Sequence, residues 1–480
     1  MDVDQVRAAL EALRQHDLPT HGGQTLAYVY DSGLEEADAL GREALAAYGS
    51  TNGLDPTAFP SLLQMEQDLI AMAARLLDGP PETVGTVTSG GTESILLAVV
   101  GARDARPDIG HPTMVLPTSA HAAFHKAAHY FGVRPIFADV DTETGRAIAS
   151  RMTDAMQEDT VLVVASAPSY AHGVIDPVTE IATQAQARAI HCHVDACIGG
   201  WLLPYLRRDD PELPAFSFVI PGVTSISVDL HKYGYTPKGA SILLHRTPQL
   251  RRPQLFSSAA WPGYTMINTT IQSTKSGAPL AAAWAVTQYI GDEGYARLAR
   301  EVHEATSKLI EGVRGIHHLG VFGEPQSSLV AITGDDQLDV FTLADELLAR
   351  GWYVQPQLRS VGFPPTLHLS ISAATVPRIA ELLDALRGAV KSAVAAGPPV
   401  LDPVLVATVD ALDPSSFDDA AFRELARLAG LESAGTLALP NRLAPVNAIL
   451  DRLSPPLREA LLTGFLDRLT QPSAQTSSST

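Results

Sequence analysis

Three polar segments of the chain contain residue types that could together hold one reactive small molecule. The first is the turn Val87-Thr-Ser-Gly-Gly-Thr-Glu-Ser94, which follows a strand-like run and opens an apolar, helix-like run. The second is His193-Val-Asp195 and the third is Asp229-Leu-His-Lys232, each at the end of an apolar segment. A helix N-terminus binds anions, a carboxylate pairs with a protonated nitrogen, and a partly buried lysine acts as an amine nucleophile.

Each segment alone also has a purely structural interpretation. A Gly-Gly turn before a helix is often simple chain reversal, a strand-end Asp often caps a turn, and a single lysine is ordinarily a surface residue. Cys197 is best interpreted as a small buried residue. In combination, however, the segments meet the needs of pyridoxal phosphate, whose phosphate, pyridine nitrogen and aldehyde require an anion site, a carboxylate and a lysine. The sequence therefore predicts pyridoxal 5'-phosphate as cofactor.

The segments that would position these residues alternate between strand and helix patterns. Strands are predicted at 83–88, 113–116, 161–165, 189–194, 224–228 and 240–244, and helices at 62–77, 92–104, 120–131 and 177–188. Apolar strands separated by helices predict an α/β fold with a mainly parallel sheet covered on both faces. The carboxyl ends of such strands are where this class of sheet places ligand groups.

Changes of pattern divide the chain into four predicted regions. Residues 1–61 form an N-terminal helix and arm, and residues 62–278 form the large cofactor-binding domain. Residues 279–396 are predicted as a smaller C-terminal α+β domain, with helices at 280–291 and 294–313 and short strands after them. Residues 397–480 are predicted as a helical extension, with helices at 417–430 and 455–469, whose Ser/Thr/Gln-rich end from 471 is disordered.

Composition excludes several classes of partner. The 480 residues are 46% hydrophobic, enough for a large core, and the net charge of −19 disfavours nucleic acid and anionic lipid as partners. Two cysteines, without histidines at ligand spacing, give no metal site. The chain contains neither a signal-peptide pattern nor an apolar stretch of ~20 residues, as a membrane span needs. It is therefore predicted to be a soluble, cytoplasmic protein that acts on a small molecule.

Five segments, taken in order, resemble the group II pyridoxal-phosphate-dependent decarboxylase superfamily of fold-type I, and within it most closely the sphingosine-1-phosphate lyase family. They are Val87-Thr-Ser-Gly-Gly-Thr-Glu-Ser-Ile-Leu96, Ser119-Ala-His-Ala-Ala-Phe124, His172-Gly-Val-Ile-Asp-Pro177, His193-Val-Asp-Ala-Cys197 and His231-Lys-Tyr-Gly-Tyr235. The resemblance spans about residues 47–389. It implies a large domain with a mainly parallel central sheet, a smaller C-terminal α+β domain, and a homodimer with shared active sites.

The resemblance also implies roles for individual residues. Lys232 would be the Schiff-base lysine, His121 the ring stacked on the pyridine, and Asp195 the partner of the pyridine nitrogen. The other cofactor contacts implied are Gly91 and Thr92 at the phosphate, His231 nearby, and Ser273, with Thr274, reaching the neighbouring subunit's phosphate. Candidates for proton transfer are Lys232 itself, Tyr233, Tyr235 and Lys238.

The implied reaction is a retro-aldol cleavage of the Cα–Cβ bond of a β-hydroxy amine, which gives an aldehyde and an amine. The residues predicted to bind the substrate are Asn52, Asp55, Lys238 and Lys275. Asp55 replaces a family histidine that holds the substrate phosphate, and an acid repels phosphate. In the loop that contains Lys275, this chain lacks an arginine that the family has. Arg359 could compensate for the missing arginine.

Two other functions stay open at this point. One is an amino-acid decarboxylase, or another amino-acid-transforming enzyme of the same superfamily, with a smaller, non-phosphorylated substrate that Asp55 would suit. The other is an inactive scaffold that binds the cofactor or a partner, which the presence of both Lys232 and Asp195 disfavours.

Overall fold

A computed structural model describes residues 1–55, 57–413, 417–429, 432–433, 436–437 and 440–471. The predicted disordered end therefore lies outside the described residues, apart from Gln471. The chain divides into two compact units. The larger unit is Met1–Val313 with Val321–Ala331 and His368–Glu381, and the smaller is Arg314–Gly320, Ile332–Leu367 and Leu382–Thr480. The four regions predicted from the sequence are a finer division and stay a prediction.

A seven-stranded sheet forms the centre of the larger unit. Its strands are β1 (Val84–Thr88), β2 (Thr113–Pro117), β3 (Arg134–Ala138), β4 (Thr160–Ser166), β5 (His191–Asp195), β6 (Ser225–Asp229) and β7 (Ser241–His245). Their order is β1-β7-β6-β5-β4-β2-β3, and β7 runs in the direction opposite to that of the other six. The prediction of an α/β fold with a mainly parallel sheet is confirmed.

Helices cover this sheet and complete the larger unit. They are α1 (Val3–Leu13), α2 (Glu35–Ala47), α3 (Pro60–Leu76), α4 (Gly91–Asp104), α5 (Ala123–Phe131), α6 (Ala149–Ala155), α7 (Val178–Ala187), α8 (Leu203–Asp209), α9 (Pro248–Arg251) and α10 (Gly277–Arg314), which ends one residue beyond it. Gly291, with φ of 64°, kinks α10 and so separates the two helices that the sequence predicted there. A short hairpin, β8 (Phe256–Ser258) and β9 (Met266–Asn268), precedes α10.

The remaining elements comprise a small sheet and a group of helices. The sheet has the order β10 (Leu319–Val321), β11 (Leu329–Gly334), β13 (Thr366–Ser370) and β12 (Gln355–Gln357). The helices are α11 (Val340–Leu348), α12 (Ile379–Ala396), α13 (Pro403–Asp410), α14 (Asp419–Leu428), α15 (Ala444–Arg452) and α16 (Pro455–Leu469), and two further two-residue strands, Glu432–Ser433 and Thr436–Leu437, pair with each other.

Helix α15 is fastened to α11 within the smaller unit. The buried Asp345 carboxylate of α11 accepts hydrogen bonds from the backbone N–H groups of Leu443, at 2.9 Å, and Ala444, at 3.1 Å. Since these N–H groups open α15, Asp345 caps that helix and its charge favours the positive end of the helix dipole. Arg442 forms an ion pair of 2.8 Å with Glu346 beside it. Among the described residues, no helix combines the length and apolarity needed to cross a lipid bilayer.

Candidate active site

A cavity of about 390 Å³ opens at the carboxyl ends of β1, β4, β5 and β6, beside the N-terminus of α4. Its walls come entirely from the larger unit. They contain Ser89, Gly90, Gly91, Thr92, Glu93, Ile95, His121, Ser166, Pro168, Tyr170, Asp195, Cys197, Ile198, Asp229, His231 and Lys232. The three polar segments singled out in the sequence therefore meet in one place, because strands that run in the same direction end at the same edge of a sheet.

The turn before α4 is built so that backbone can approach the cavity closely. A Cβ atom on Gly91 would lie 2.7 Å from the Cys197 sulfur and 2.8 Å from both carboxylate oxygens of Asp229, so only glycine fits. The buried Glu93 carboxylate fixes the turn by accepting a 2.7 Å hydrogen bond from the Ser89 N–H. The first N–H groups of a helix lack intrahelical partners, so this turn suits an anion such as a phosphate.

We predict that Gly91→Ala weakens cofactor binding by at least about tenfold, because the added methyl must displace Cys197 or Asp229. The same overpacking should lower the free energy of unfolding by about 1–3 kcal/mol. Titration of the variant with pyridoxal phosphate and thermal unfolding measure both effects. Gly110→Ala is the matched control, since a Cβ there would meet no atom within 4 Å. Equal affinity of Gly91→Ala and the native protein would contradict the proposed phosphate turn.

Asp195 is oriented by a chain of hydrogen bonds that reaches into the core. Its Oδ1 atom accepts from the Cys197 N–H at 3.1 Å and from the Ser227 hydroxyl at 3.4 Å. The Ser227 hydroxyl also contacts Nε2 of His193 at 3.2 Å, and Nδ1 of that ring contacts the Ser225 hydroxyl at 2.9 Å. Burial lowers the pKa of His193 to about 4. The ring is therefore neutral at physiological pH, and the charge of Asp195 is left for a cation in the cavity.

Lys232 lies against a second carboxylate. Its Nζ atom is 2.9 Å from Oδ2 of Asp229, and His231 Nε2 is 3.7 Å from the same oxygen. Burial, the largest single influence, would lower the pKa of Lys232, but the charge and hydrogen bond of Asp229 together with Cys197 and Tyr30 outweigh it and raise that pKa. Burial alone would likewise raise the pKa of Asp229, but Lys232 and His231 outweigh it and lower that pKa. The site therefore contains an internal ion pair at the residue best suited to carbonyl chemistry.

His121 supplies a flat, uncharged surface on another wall. Its Nδ1 atom accepts a hydrogen bond of 3.2 Å from the Ala123 N–H, which fixes the ring before α5. Burial lowers its pKa, and the ring is edge-on to Tyr170 with centroids 6.4 Å apart. Tyr170 in turn stacks on the buried His368 at 4.1 Å. A row of rings thus holds His121 in place, as stacking on a planar cofactor requires.

The remaining candidates for proton transfer differ in their surroundings. Tyr233 is buried and donates a 2.8 Å hydrogen bond to the Ile371 carbonyl, while Tyr235, also buried, is not among the lining residues described. Burial raises the pKa of both phenols. Lys238 donates to the His231 carbonyl at 3.2 Å, and burial together with the Lys232 charge lowers its pKa to about 8. Its Nζ atom lies 4.9 Å from the ring centre of Tyr30.

Comparison with known proteins gives this arrangement a family. Residues 20–333 match the pyridoxal-dependent decarboxylase conserved domain. Sphingosine-1-phosphate lyases of Dictyostelium discoideum and Arabidopsis thaliana are each 37% identical to the chain, over 75% and 77% of it and 67% and 69% of their own lengths. The chain belongs to the sphingosine-1-phosphate lyase family. It is accordingly a pyridoxal-phosphate-dependent lyase of the group II decarboxylase superfamily.

Solved structures agree with this assignment. A Burkholderia pseudomallei sphingosine-1-phosphate lyase superposes with a TM-score of 0.77 and 34% identity, over 82% of this chain and 92% of that one. A Lactobacillus brevis glutamate decarboxylase, at 18% identity and a TM-score of 0.73, shares the fold alone. The fold-type I architecture predicted from the sequence is confirmed.

A second family model matches the C-terminal part of the chain. Residues 403–468 match the family described as the C-terminal putative HTH domain of pyridoxal-dependent enzymes.

The lyase-family residues predicted to bind substrate, or a neighbouring subunit's phosphate, lie away from the described cavity walls. Lys275 forms an ion pair of 2.8 Å with Glu66, and Asn52 accepts a hydrogen bond from the Leu54 N–H. Asp55 is exposed and accepts from the N–H and hydroxyl of Thr57, and Ser273 is exposed. Arg359, the suggested substitute cation, pairs with Asp451. The roles of these residues stay predictions.

Sequence reasoning missed several residues that belong to the site. The motif around Lys232 includes Asp229, but the sequence assigns it no role, although a carboxylate three residues before a strand-end lysine is placed to fold back onto it. The sequence assigns no role to Glu93 either. No sequence pattern marks Tyr30 and Tyr170 as site residues. They come close to the site because the N-terminal arm and a loop after β4 cross the edge of the sheet there.

Proposed function

We propose that this lyase cleaves the Cα–Cβ bond of a phosphorylated, long-chain β-hydroxy amine, releasing an aldehyde and a phosphorylated amine. The observation that carries the proposal is the Lys232 amine, which faces a cavity bounded by the Gly91 turn and Asp195. The names of the relatives support the substrate class, since they are lyases of sphingosine 1-phosphate. When bound, pyridoxal phosphate supplies the electron sink for the carbanion that this cleavage creates.

Residues of the chain would bind the cofactor, orient it and transfer protons. Lys232 would hold the cofactor covalently, and Gly91 and Thr92 would bind its phosphate through the N-terminus of α4. Asp195 would keep the ring nitrogen protonated, and His121 would cover one face of the ring. Lys238 is the candidate to accept the proton of the substrate hydroxyl, because its pKa of about 8 leaves a useful fraction uncharged near neutral pH.

Asp55 is compatible with a phosphorylated substrate. It replaces a histidine of the lyase family, yet its carboxylate is exposed and turned to Thr57. Among the described residues it does not line the cavity, so its charge is screened by solvent there. For the same reason, Asp55 gives no support to the second candidate, a decarboxylase or related enzyme with a non-phosphorylated amino acid as substrate.

Product identification separates the two candidates. The purified full-length protein is incubated with a phosphorylated long-chain base or with free amino acids, and products are identified by mass. Phosphoethanolamine and a long-chain aldehyde in equal amounts are expected, at a rate that falls to background in Lys232→Arg. Carbon dioxide from an amino acid, without aldehyde from the phosphorylated base, would establish the decarboxylase instead.

The protein is further proposed to be a homodimer with shared active sites. The hairpin β8–β9 and the loop after it expose large apolar side chains: Phe256, Trp261, Tyr264, Ile267 and Ile271. An exposed patch of this kind is typical of a protein interface. Glu93 accepts a 2.9 Å hydrogen bond from the Ile271 N–H, so the base of the hairpin is tied to the cofactor turn, and the exposed Ser273 follows directly.

We predict that Phe256→Glu combined with Ile267→Glu converts the dimer to a monomer and weakens cofactor binding by at least about tenfold, because two charges cannot be buried unpaired. Size-exclusion chromatography with light scattering measures the first effect, and cofactor titration the second. Tyr130→Glu, at an equally exposed aromatic residue of α5, is the control and should stay dimeric. A native protein that is monomeric at micromolar concentration would refute the proposal.

The HTH-like segment is proposed to pack within the chain and not on nucleic acid. Acidic residues outnumber basic ones in 403–468. Several of its arginines are already paired: Arg427 with Glu424, Arg442 with Glu346 and Arg452 with Asp410. Nucleic-acid binding depends on cations that are available for phosphates.

A cytoplasmic location is also proposed. It is supported by the free thiols of Cys192 and Cys197, which are typical of a reducing compartment.

A further inference from the structure

The cavity contains a second buried carboxylate, and it contacts Lys232 directly. Asp229 ends β6, and its side chain is only 2% exposed. Oδ2 lies 2.9 Å from the Lys232 amine, whereas Oδ1 is buried and has no hydrogen-bond partner in the part of the chain that is described. A buried carboxylate with one unsatisfied oxygen is costly, so its place beside the lysine calls for an explanation.

Local geometry fixes this pair. The chain turns directly after β6, with the Lys232 N–H donating to the Asp229 carbonyl at 3.3 Å, and this turn folds the lysine side chain back onto the carboxylate. On the opposite side, the Gly91 turn packs so tightly on Asp229 that a Cβ there would lie 2.8 Å from either oxygen. Asp229 thus stands between the anion-binding turn and the amine, and it cannot move without disturbing both.

Asp195 does not duplicate this role. Its Oδ1 atom is occupied by the Cys197 N–H and the Ser227 hydroxyl, and it forms no ion pair with Lys232. The charged and titratable groups that act on or near Lys232 are Tyr30 from the N-terminal arm, His121 before α5, Cys197 after β5, Asp229, His231 and Lys238. Of these, Asp229 is the carboxylate in contact, while Lys238 and burial oppose a positive charge on Lys232.

We propose that Asp229 is a positioning residue, which keeps the Lys232 nitrogen cationic and holds it beside the Gly91 turn. Asp195 and Asp229 would then serve two different nitrogens, the first that of the cofactor ring and the second that of the lysine. This inference rests on the proposed role of Lys232 as the residue that carries the cofactor.

The pH dependence of the holoenzyme spectrum tests the proposal. A lysine-bound cofactor absorbs near ~420 nm while the linking nitrogen is protonated. We expect the native band to persist into alkaline solution, and the pH at which half of it is lost to fall by at least about one unit in Asp229→Asn. A one-unit shift corresponds to a tenfold change in the proton affinity of that nitrogen. Asp176→Asn is the control, since the equally buried Asp176 carboxylate accepts hydrogen bonds from the backbone N–H groups of Ala147 and Ser166 and, in the described part of the chain, pairs with no lysine.

A midpoint unchanged in Asp229→Asn would overturn the inference, provided that the band still disappears in Lys232→Arg. If the band survives in Lys232→Arg, the proposed function fails instead, so the two failures are distinct.

A measurement on the native sequence covers the case in which Asp229→Asn does not fold. Cofactor-depleted full-length protein is labelled with acetic anhydride between pH 7 and pH 11, and the labelling of Lys232 is compared by mass with that of the exposed Lys391. The midpoint of the Lys232 profile should lie above that of Lys391. A midpoint below it would refute the proposal, because burial without Asp229 would shift the lysine in that direction.

Discussion

Lys232→Ala should abolish the visible band of the holoenzyme and reduce turnover by about 10⁴-fold or more, because it removes the amine proposed to carry the cofactor. The substitution also leaves the buried Asp229 without its cation, which should cost roughly 3–5 kcal/mol of unfolding free energy. Burial then raises the pKa of Asp229, so this variant should lose stability as the pH rises above about 4. Spectra, turnover and thermal unfolding at several pH values measure these effects.

Lys232→Arg separates the chemical loss from the structural one. Arginine keeps a positive charge for Asp229 but cannot be deprotonated for carbonyl chemistry. Turnover and the visible band should therefore be lost as in Lys232→Ala, while most of the stability returns. Appreciable turnover in the arginine variant would rule out Lys232 as the cofactor-bearing residue.

Asp195→Asn should lower turnover by about 10²–10³-fold, because it removes the charge proposed to keep the ring nitrogen of the cofactor protonated. The effect should fall on the chemical step. The Gly91 turn and Lys232 are untouched, so the cofactor should still bind and the visible band should still form. Turnover, the Kd for pyridoxal phosphate and the position of the band are the measurements.

Ser227→Ala is a milder substitution that tests the same role of Asp195. It removes a 3.4 Å hydrogen bond to Asp195 but keeps the carboxylate, so the loss of turnover should be much smaller, about tenfold or less. If Asp195→Asn retained more than a tenth of native turnover, Asp195 could not be the partner of the ring nitrogen.

The sequence predicts six of the seven strands of the large sheet and the meeting point of their polar ends. Strands β4 to β7 are buried along nearly their whole length, each contains apolar residues, and their predicted limits agree with the structure to within two residues. Asp195 and Lys232 both line the cavity, because the edge of a parallel sheet is set by where its strands end; their roles stay predictions. The predicted family and cofactor are likewise confirmed.

The elements that were missed lack such a local signal. Strand β3 is a half-exposed edge strand that includes Pro135, so neither burial nor β propensity marks it. Short helices are predicted in the N-terminal arm, but the limits of α2 are not, because its segment is interrupted by glycine and asparagine and the helix buries Ala37 and Gly41 alone. The pairing of Lys275 with Glu66 joins residues far apart in the chain, and spacing alone could not anticipate it.

The cap that Asp345 places on α15 bears on how the protein can be shortened. A chain ended near Gly397 would still carry this carboxylate on α11, now facing the vacated surface with no helix start to receive its charge. Glu346 would also lose its ion pair with Arg442. Removal of the last eighty or so residues should therefore yield a destabilised, aggregation-prone fragment and not a minimal enzyme.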